Sequence, residues 1–200
     1  EPVKAMEVHK CDVLVIGSEA AGLRTAIEAH DQGADVIVLG KCKTGDAHTV
    51  MATGGINAAL GTMNPEDSCA IHAADTLKEG CFLADYRAVE LLCRNAPQAI
   101  QDLVDYGVKF AKDRRGLVQR FFGAHTYRRT CFVGDHTGRA IKAALVHQAE
   151  KMKLQFLEEI YITALTKHGD KPNGAVNSAV NGAIGFDMKS DDMTLFNAKV

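Results

Sequence analysis

Residues 11–39, CDVLVIGSEAAGLRTAIEAHDQGADVIVL, decide the fold. Cys11–Ile16 is a short apolar run with the β-branched content of a strand. Gly17–Gly22 (GSEAAG) breaks it. Leu23, Ala26, Ile27 and His30 then recur at helical spacing, with Ala20, Ala21 and Ala29 filling in. Gly33 stops that helix, and Asp35–Leu39 is a second apolar strand. Strand, glycine turn, helix and strand in this order open a parallel, doubly wound α/β sheet.

The glycine turn carries the first chemical signal. A GxGxxG turn needs a tight bend, close backbone approach to a pyrophosphate and close helix–strand packing. Gly17 and Gly22 fill the first and third glycine positions, and Ser18, Ala20 and Ala21 complete the turn. Glu19 fills the middle position, so its carboxylate has to point away from the phosphates, although a helix N-terminus favours negative charge in general. An ordinary ligand-free βαβ turn can carry the same residues. The flanking strand–helix–strand context favours a bound nucleotide. After the second strand, Gly40 and Lys41 stand where an acidic residue usually holds a ribose, which weighs most against free NAD.

Composition bounds the rest. Two hundred residues suffice for one good-sized core or one core plus a partial second unit. Hydrophobic residues make up 46% and charged residues 24%, as in an ordinary globular domain. A net charge of −2, with Lys and Arg scattered, argues against a nucleic-acid partner. No apolar run is long enough to span a bilayer directly, and residues 1–10 form a charged, mixed polar leader without the features of a signal peptide. The six cysteines form no CxxC pair, so no metal site is expected, and reduced buried thiols are the simplest reading.

Along the remaining chain, Lys41–Val50 reads as a loop leading into the small-residue segment Ala52–Gly61. Asn64-Pro65-Glu66-Asp67 reads as a helix start, and that helix runs to Gly80. A second helix is expected from Asp85 to about Asn95, and Pro97 opens a third that stops at Gly107. Val108–Phe121 alternates around Arg115-Gly116 as a hairpin. Thr137–Met152 is the last helix, with Gly134–Gly138 as its cap. Gln155–Leu165 is β-rich, Lys167–Gly182 is a polar turn region, and Ala183–Met188 and Met193–Val200 pair as a hairpin or meander. His125, Arg128 and Arg129 read as a solvated loop that positions the helix after them.

His48–Gly61, HTVMATGGINAALG, resembles the flavin-embracing loop of the succinate dehydrogenase / fumarate reductase flavoprotein family, and the match begins at Thr44. The resemblance continues through Asp75–Lys78, Ala96–Ile100, Tyr106–Phe110, Arg120–Gly123, Arg128-Arg129 and Asp135–Arg139, so that it spans residues 11–200. It implies an FAD/NAD(P)-binding Rossmann-like sheet with a helical insert at about 64–107 and a β-meander, incomplete at the C-terminus. Capping and C-terminal domains would lie beyond Val200.

The family tolerates a non-acidic residue after the second strand, so FAD is the implied cofactor. The implied cofactor-binding residues are Gly17, Ser18, Glu19, Ala20, Ala21, Gly22, Gly40, Lys41, His48, Thr49, Ala52, Gly54, Gly55 and Ile162. His48 stands where the family carries its covalent bond to FAD. Gly54 and Gly55 would let the backbone lie against the isoalloxazine ring, and Gly55 would touch the dicarboxylate substrate. Thr53 replaces the Gln or Glu that the family often has.

The family's carboxylate-clamping arginines and its general acid are not matched, so no catalytic residue is assigned within this chain, and the 200 residues alone are expected to be inactive. The parent enzyme would interconvert succinate and fumarate. It would pass electrons to an iron–sulfur subunit in a membrane-anchored complex at the cytoplasmic face of the membrane or the equivalent matrix face. Two alternatives stand beside this reading: L-aspartate oxidase, a soluble relative with non-covalent FAD that typically lacks a histidine at position 48, and a non-catalytic nucleotide-binding module.

Overall fold

A computed structural model describes residues 6–43, 48–168 and 179–200. The chain divides into two compact units, one of residues 1–47 and 145–200 and one of residues 48–144. In the first unit, β1 (Glu7–Cys11) and β2 (Val13–Ile16) are followed by α1 (Ala20–Asp31) and β3 (Val36–Gly40). β2 and β3 pair in parallel, and α1 packs on both through the fully buried Leu23, Ala26 and Ile27. Every residue of β3 is buried, as expected of a strand covered on both faces.

Two readings of this segment change. The apolar run at Cys11–Ile16 is split at Asp12 between two sheets, and the polar leader ends earlier than expected because Glu7–Lys10 belong to β1. Asp12 makes the break. Its backbone carbonyl accepts the amides of Lys199 and Val200, its carboxylate accepts the Asp35 amide at 3.1 Å, and Lys199 Nζ lies 2.6 Å from that carboxylate.

The second unit holds β4 (Ile56–Asn57), α2 (Cys69–Glu79), α3 (Tyr86–Asp105), the short strands β5 (Lys112–Asp113), β6 (Gly116–Leu117), β7 (Gln119–Arg120) and β8 (Thr130–Cys131), and the start of α4 (Thr137–Lys151). α2 begins at Ser68, whose hydroxyl accepts the Ile71 amide at 3.2 Å, and not at the Asn64-Pro65 signal. Asn64–Asp67 closes a turn instead, with the Asp67 amide donating to the Asn64 carbonyl.

The two helices expected at 85–107 are one. α3 is capped by the Asp85 carboxylate and runs through Pro97. Proline removes one internal bond. The stripe of Val89, Cys93, Ile100 and Leu103 is buried on both sides of it, and α2 contributes Ala73 and Leu77 to the cluster around Val89 and Cys93. β5 and β6 form the hairpin expected around Arg115-Gly116, while β7 leaves it to pair with β8, which also pairs with β4.

After α4 the chain re-enters the first unit. β9 (Gln155–Glu158) adds in parallel to β3, giving a sheet ordered β2-β3-β9. β10 (Ile160–His168), β11 (Ala179–Asp187) and β12 (Met193–Ala198) form the expected meander, and β1 joins its edge in parallel with β12. Lys167, His168 and Ala179–Gly182, read as part of a polar turn, are strand residues, and 169–178 lie outside the described residues. Glu159, at φ +61°, separates β9 from β10 as Asp12 separates β1 from β2. A core of Ile37, Leu39, Ile160 and Phe196 joins strands of the two sheets.

Candidate functional site

The turn after β2 is built almost entirely from backbone. Gly17 has φ +125°, a region that L side chains rarely adopt, and its amide donates to the Leu39 carbonyl at 2.8 Å. A Cβ on Gly22 would lie 1.8 Å from the Gly17 carbonyl oxygen, so helix and turn approach only because residue 22 is glycine. A Cβ on Gly40 would lie 2.7 Å from Oγ of Ser18, which ties the end of β3 to the same turn. Glu19 is the N-cap by position, and its side chain makes no capping bond. The first internal bond of α1 runs from the Leu23 amide to the Glu19 carbonyl, so Ala21 and Gly22 precede it. Close glycine packing and first-turn amides suit a pyrophosphate, and the residues present fit that group. Lys41 is exposed just after β3. Ile162, on β10, is partly buried against the core of the first unit.

The loop of the second unit begins with a short 3-10 turn, His48–Met51, in which His48 is exposed. Thr44–Ala47, which open the matched segment, lie outside the described residues. Thr49 and Ala52 are held against the start of α4. The Gly138 amide donates to the Ala52 carbonyl at 2.8 Å, and a Cβ on Gly138 would lie 1.9 Å from the Thr49 oxygen. Gly138 therefore secures this loop in addition to opening the helix. Gly55 has φ +119°, and a Cβ there would lie 2.5 Å from both the Cys131 oxygen and Thr130 Cγ2, so its lack of a side chain lets β4 meet β8. The corresponding position on Gly54 is 3.5 Å from the Phe122 ring.

Three polar side chains that pattern reading undervalued hold this loop and its supports. Arg120 donates to the carbonyls of Thr53 and Gly54, and its guanidinium lies 4.5 Å from the centre of the Phe132 ring. Gln119 is buried. Its amide nitrogen donates to the carbonyls of Ala58 (2.7 Å) and Arg129 (2.8 Å), and its oxygen accepts from the Thr62 hydroxyl.

Arg129, expected in a solvated loop, is fully buried. It makes two bonds to Asp67, at 2.9 and 3.1 Å, and pairs with Asp75 at 2.9 Å. Asp75 also accepts the Thr126 amide and hydroxyl. Burial opposes its ionisation, but those two bonds and the Arg129 charge prevail and hold its carboxyl below the usual range. The loop is thus positioned by ion pairs that fix it to α2. The only sequence signal for this was the pairing of an arginine with acids more than fifty residues earlier.

Beside Arg129 lies a cleft of about 320 Å³ lined by Asn57, His72, Asp75 and His125. Burial, followed by the Arg129 charge, lowers the pKa of both histidines, so both are neutral near pH 7. The Thr130 hydroxyl donates to Asn57 Oδ1, which leaves the Asn57 amide nitrogen to donate to His125 Nε2 at 3.2 Å. The His125 proton therefore resides on Nδ1. Burial pushes the Cys131 thiol up to about 11, against a weaker opposing bond from Gln119, so that sulfur is not a nucleophile. Among the described residues no His, Cys, Asp and Glu cluster could hold a metal ion.

The chain matches the FAD binding domain family over residues 12–199. It is 38% identical over 196 residues to a fumarate reductase (CoM/CoB) subunit of Methanothermobacter marburgensis, covering 96% of this chain and 34% of that protein. It is 39% identical over 177 residues to the succinate dehydrogenase flavoprotein subunit of Rickettsia bellii, covering 84% of this chain and 30% of that one. Its structure superposes on a chain of the Mycobacterium smegmatis Sdh1 complex in the apo form with a TM-score of 0.90 and 35% identity, over 98% of this chain and 34% of the other. The chain thus spans about a third of the length of the relatives it matches. It belongs to the FAD binding domain family, and it is similar over most of its length to the first third of proteins named succinate dehydrogenase and fumarate reductase flavoprotein subunits.

Proposed function

We propose that this chain is the FAD-holding part of a flavoprotein oxidoreductase that interconverts succinate and fumarate. The observation that carries the reading is the turn after β2, where Gly22 packs so closely on Gly17 that a Cβ would meet the Gly17 carbonyl, beside the first-turn amides. Gly17, Ser18, Glu19, Ala20, Ala21 and Gly22 take the pyrophosphate. Gly40 and Lys41 take the ribose end, and the backbone at Ile162 meets the adenine.

Thr49, Ala52, Gly54 and Gly55 lie against the flavin, with Gly55 also at the dicarboxylate. FAD supplies hydride acceptance and donation when bound. His48, exposed and at the start of its loop, is the residue for covalent attachment. Electrons pass to an iron–sulfur subunit in a membrane-anchored complex, with the chain peripheral at the inner face of the membrane. Among the described residues no helix is long and apolar enough to cross a membrane itself. L-aspartate oxidase and a non-catalytic nucleotide module are not favoured, because the similar proteins carry succinate dehydrogenase and fumarate reductase names.

An absorbance spectrum tests the cofactor: a stoichiometric flavin band is expected of the longer flavoprotein that contains this chain, and weak or no flavin retention of the 200 residues alone. Denaturing gel electrophoresis tests the linkage. Flavin fluorescence should migrate with the polypeptide and disappear in His48→Ala. A wild-type band without fluorescence would remove the covalent bond while leaving FAD in place.

A further inference from the structure

We propose that Arg120 is a positioning residue for the flavin loop, and that its charge raises the reduction potential of the flavin held there. This rests on the FAD reading above and extends it to a residue outside the loop.

The geometry begins at β7, where Arg120 stands opposite Thr130 of β8. Its Nη2 donates to the Thr53 carbonyl at 3.3 Å and also to the Gly54 carbonyl. A peptide unit is planar and trans, so each carbonyl and the amide that follows it point in opposite directions. Drawing the Thr53 and Gly54 carbonyls toward Arg120 therefore turns the amides of Gly54 and Gly55 the other way. Two adjacent donors then face away from the guanidinium, as an acceptor oxygen requires.

The charge is the second part. Arg129, in the same unit, is neutralised by two carboxylates. Arg120 instead meets two carbonyl oxygens and an aromatic face, and its Nε is buried without a partner. Among the described residues no carboxylate pairs with it. A half-buried cation without a counter-charge stabilises negative charge that develops nearby. A reduced flavin carries more negative charge than an oxidised one, so the effect favours reduction.

The test uses the intact flavoprotein with Arg120→Gln, which keeps a donor and loses the charge, and Arg120→Lys, which keeps the charge and loses the fork. The probe of charge is sulfite, whose addition to the flavin ring bleaches its absorbance and tightens when a cation is near. The probe of position is hydrogen exchange at the Gly54 and Gly55 amides in the flavin-free protein.

The Gln variant is expected to weaken sulfite binding about tenfold, the scale of one nearby charge, while keeping slow exchange. The Lys variant is expected to keep sulfite affinity within about twofold and to speed exchange. A Gln variant with wild-type sulfite affinity overturns the charge assignment. A Lys variant with unchanged exchange overturns the positioning. A wild-type protein that binds no flavin overturns the FAD reading and this inference with it, whereas a flavin-loaded wild type with indifferent variants overturns only the inference.

Discussion

The turn after β2 and the loop around Gly54 are both short, small-residue segments with glycines at fixed places, yet they are held in opposite ways. Close glycine packing and a backbone bond hold the first. Gly22 meets the Gly17 carbonyl, and Gly17 bonds to β3. Side chains from distant segments hold the second: Arg120 on its carbonyls, Gln119 and Arg129 on the strands beneath. A backbone-built cradle tolerates little change at a few positions and is indifferent elsewhere. A side-chain-built one spreads its dependence over residues that never face the cofactor.

Substitution at Arg129 separates the two regions most sharply. Arg129→Met leaves the buried Asp67 and the half-buried Asp75 without their cation and should destabilise the second unit by about 3–5 kcal/mol, read in chemical denaturation. If the loss is below about 1 kcal/mol, the ion pairs are not what secures the loop.

Gly22→Ala forces a Cβ against the Gly17 oxygen, 1.8 Å away in the present geometry. It should cost about 1–3 kcal/mol and abolish FAD binding, since the turn has to open to admit the methyl group. Retained stoichiometric flavin would show that the turn yields more easily than its packing implies.

Ser68→Ala removes the cap of α2 and should cost about 1 kcal/mol without touching cofactor binding, which a parallel denaturation and flavin titration would separate.

The smallest effect is a dependence on pH. His72 and His125 have pKa values below their ordinary 6.5 in the folded protein, so the unfolded chain binds protons first as pH falls. Their contribution is fully present above pH 6.5 and declines as pH falls from there toward the folded pKa values. Asp75, lowered from 3.8, adds a further loss below that value. His72→Gln should flatten the fall in melting temperature between pH 7 and 5. An unchanged slope would leave His72 out of the balance.

The first region was largely legible in the chain because its determinants are local. Leu23, Ala26 and Ile27 repeat on one helix face, and Gly17 and Gly22 bracket the turn that precedes it. The second was legible as a cofactor loop by resemblance, but its supports were not. Asp67 sits in a helix-start pattern, and its partner Arg129 stands 62 residues later in what reads as a solvated arginine pair. Pro97 marks a helix break locally, yet Val89, Cys93, Ile100 and Leu103 share one buried stripe, and that packing carries α3 through it. The split at Asp12 was hidden for the same reason. Nothing local distinguishes one six-residue strand from two short ones until Lys199 and Val200 return to bond with the residue between them.

Asp12 and Glu159 each pass the chain between the same two sheets in a single residue, and each meets a lysine, Lys199 and Lys189. Neither sheet can therefore shed a strand without pulling on the other at two places. The parallel layer and the meander should melt as one foldon with a single free energy of opening, and a nick in either switch would turn that joint transition into two.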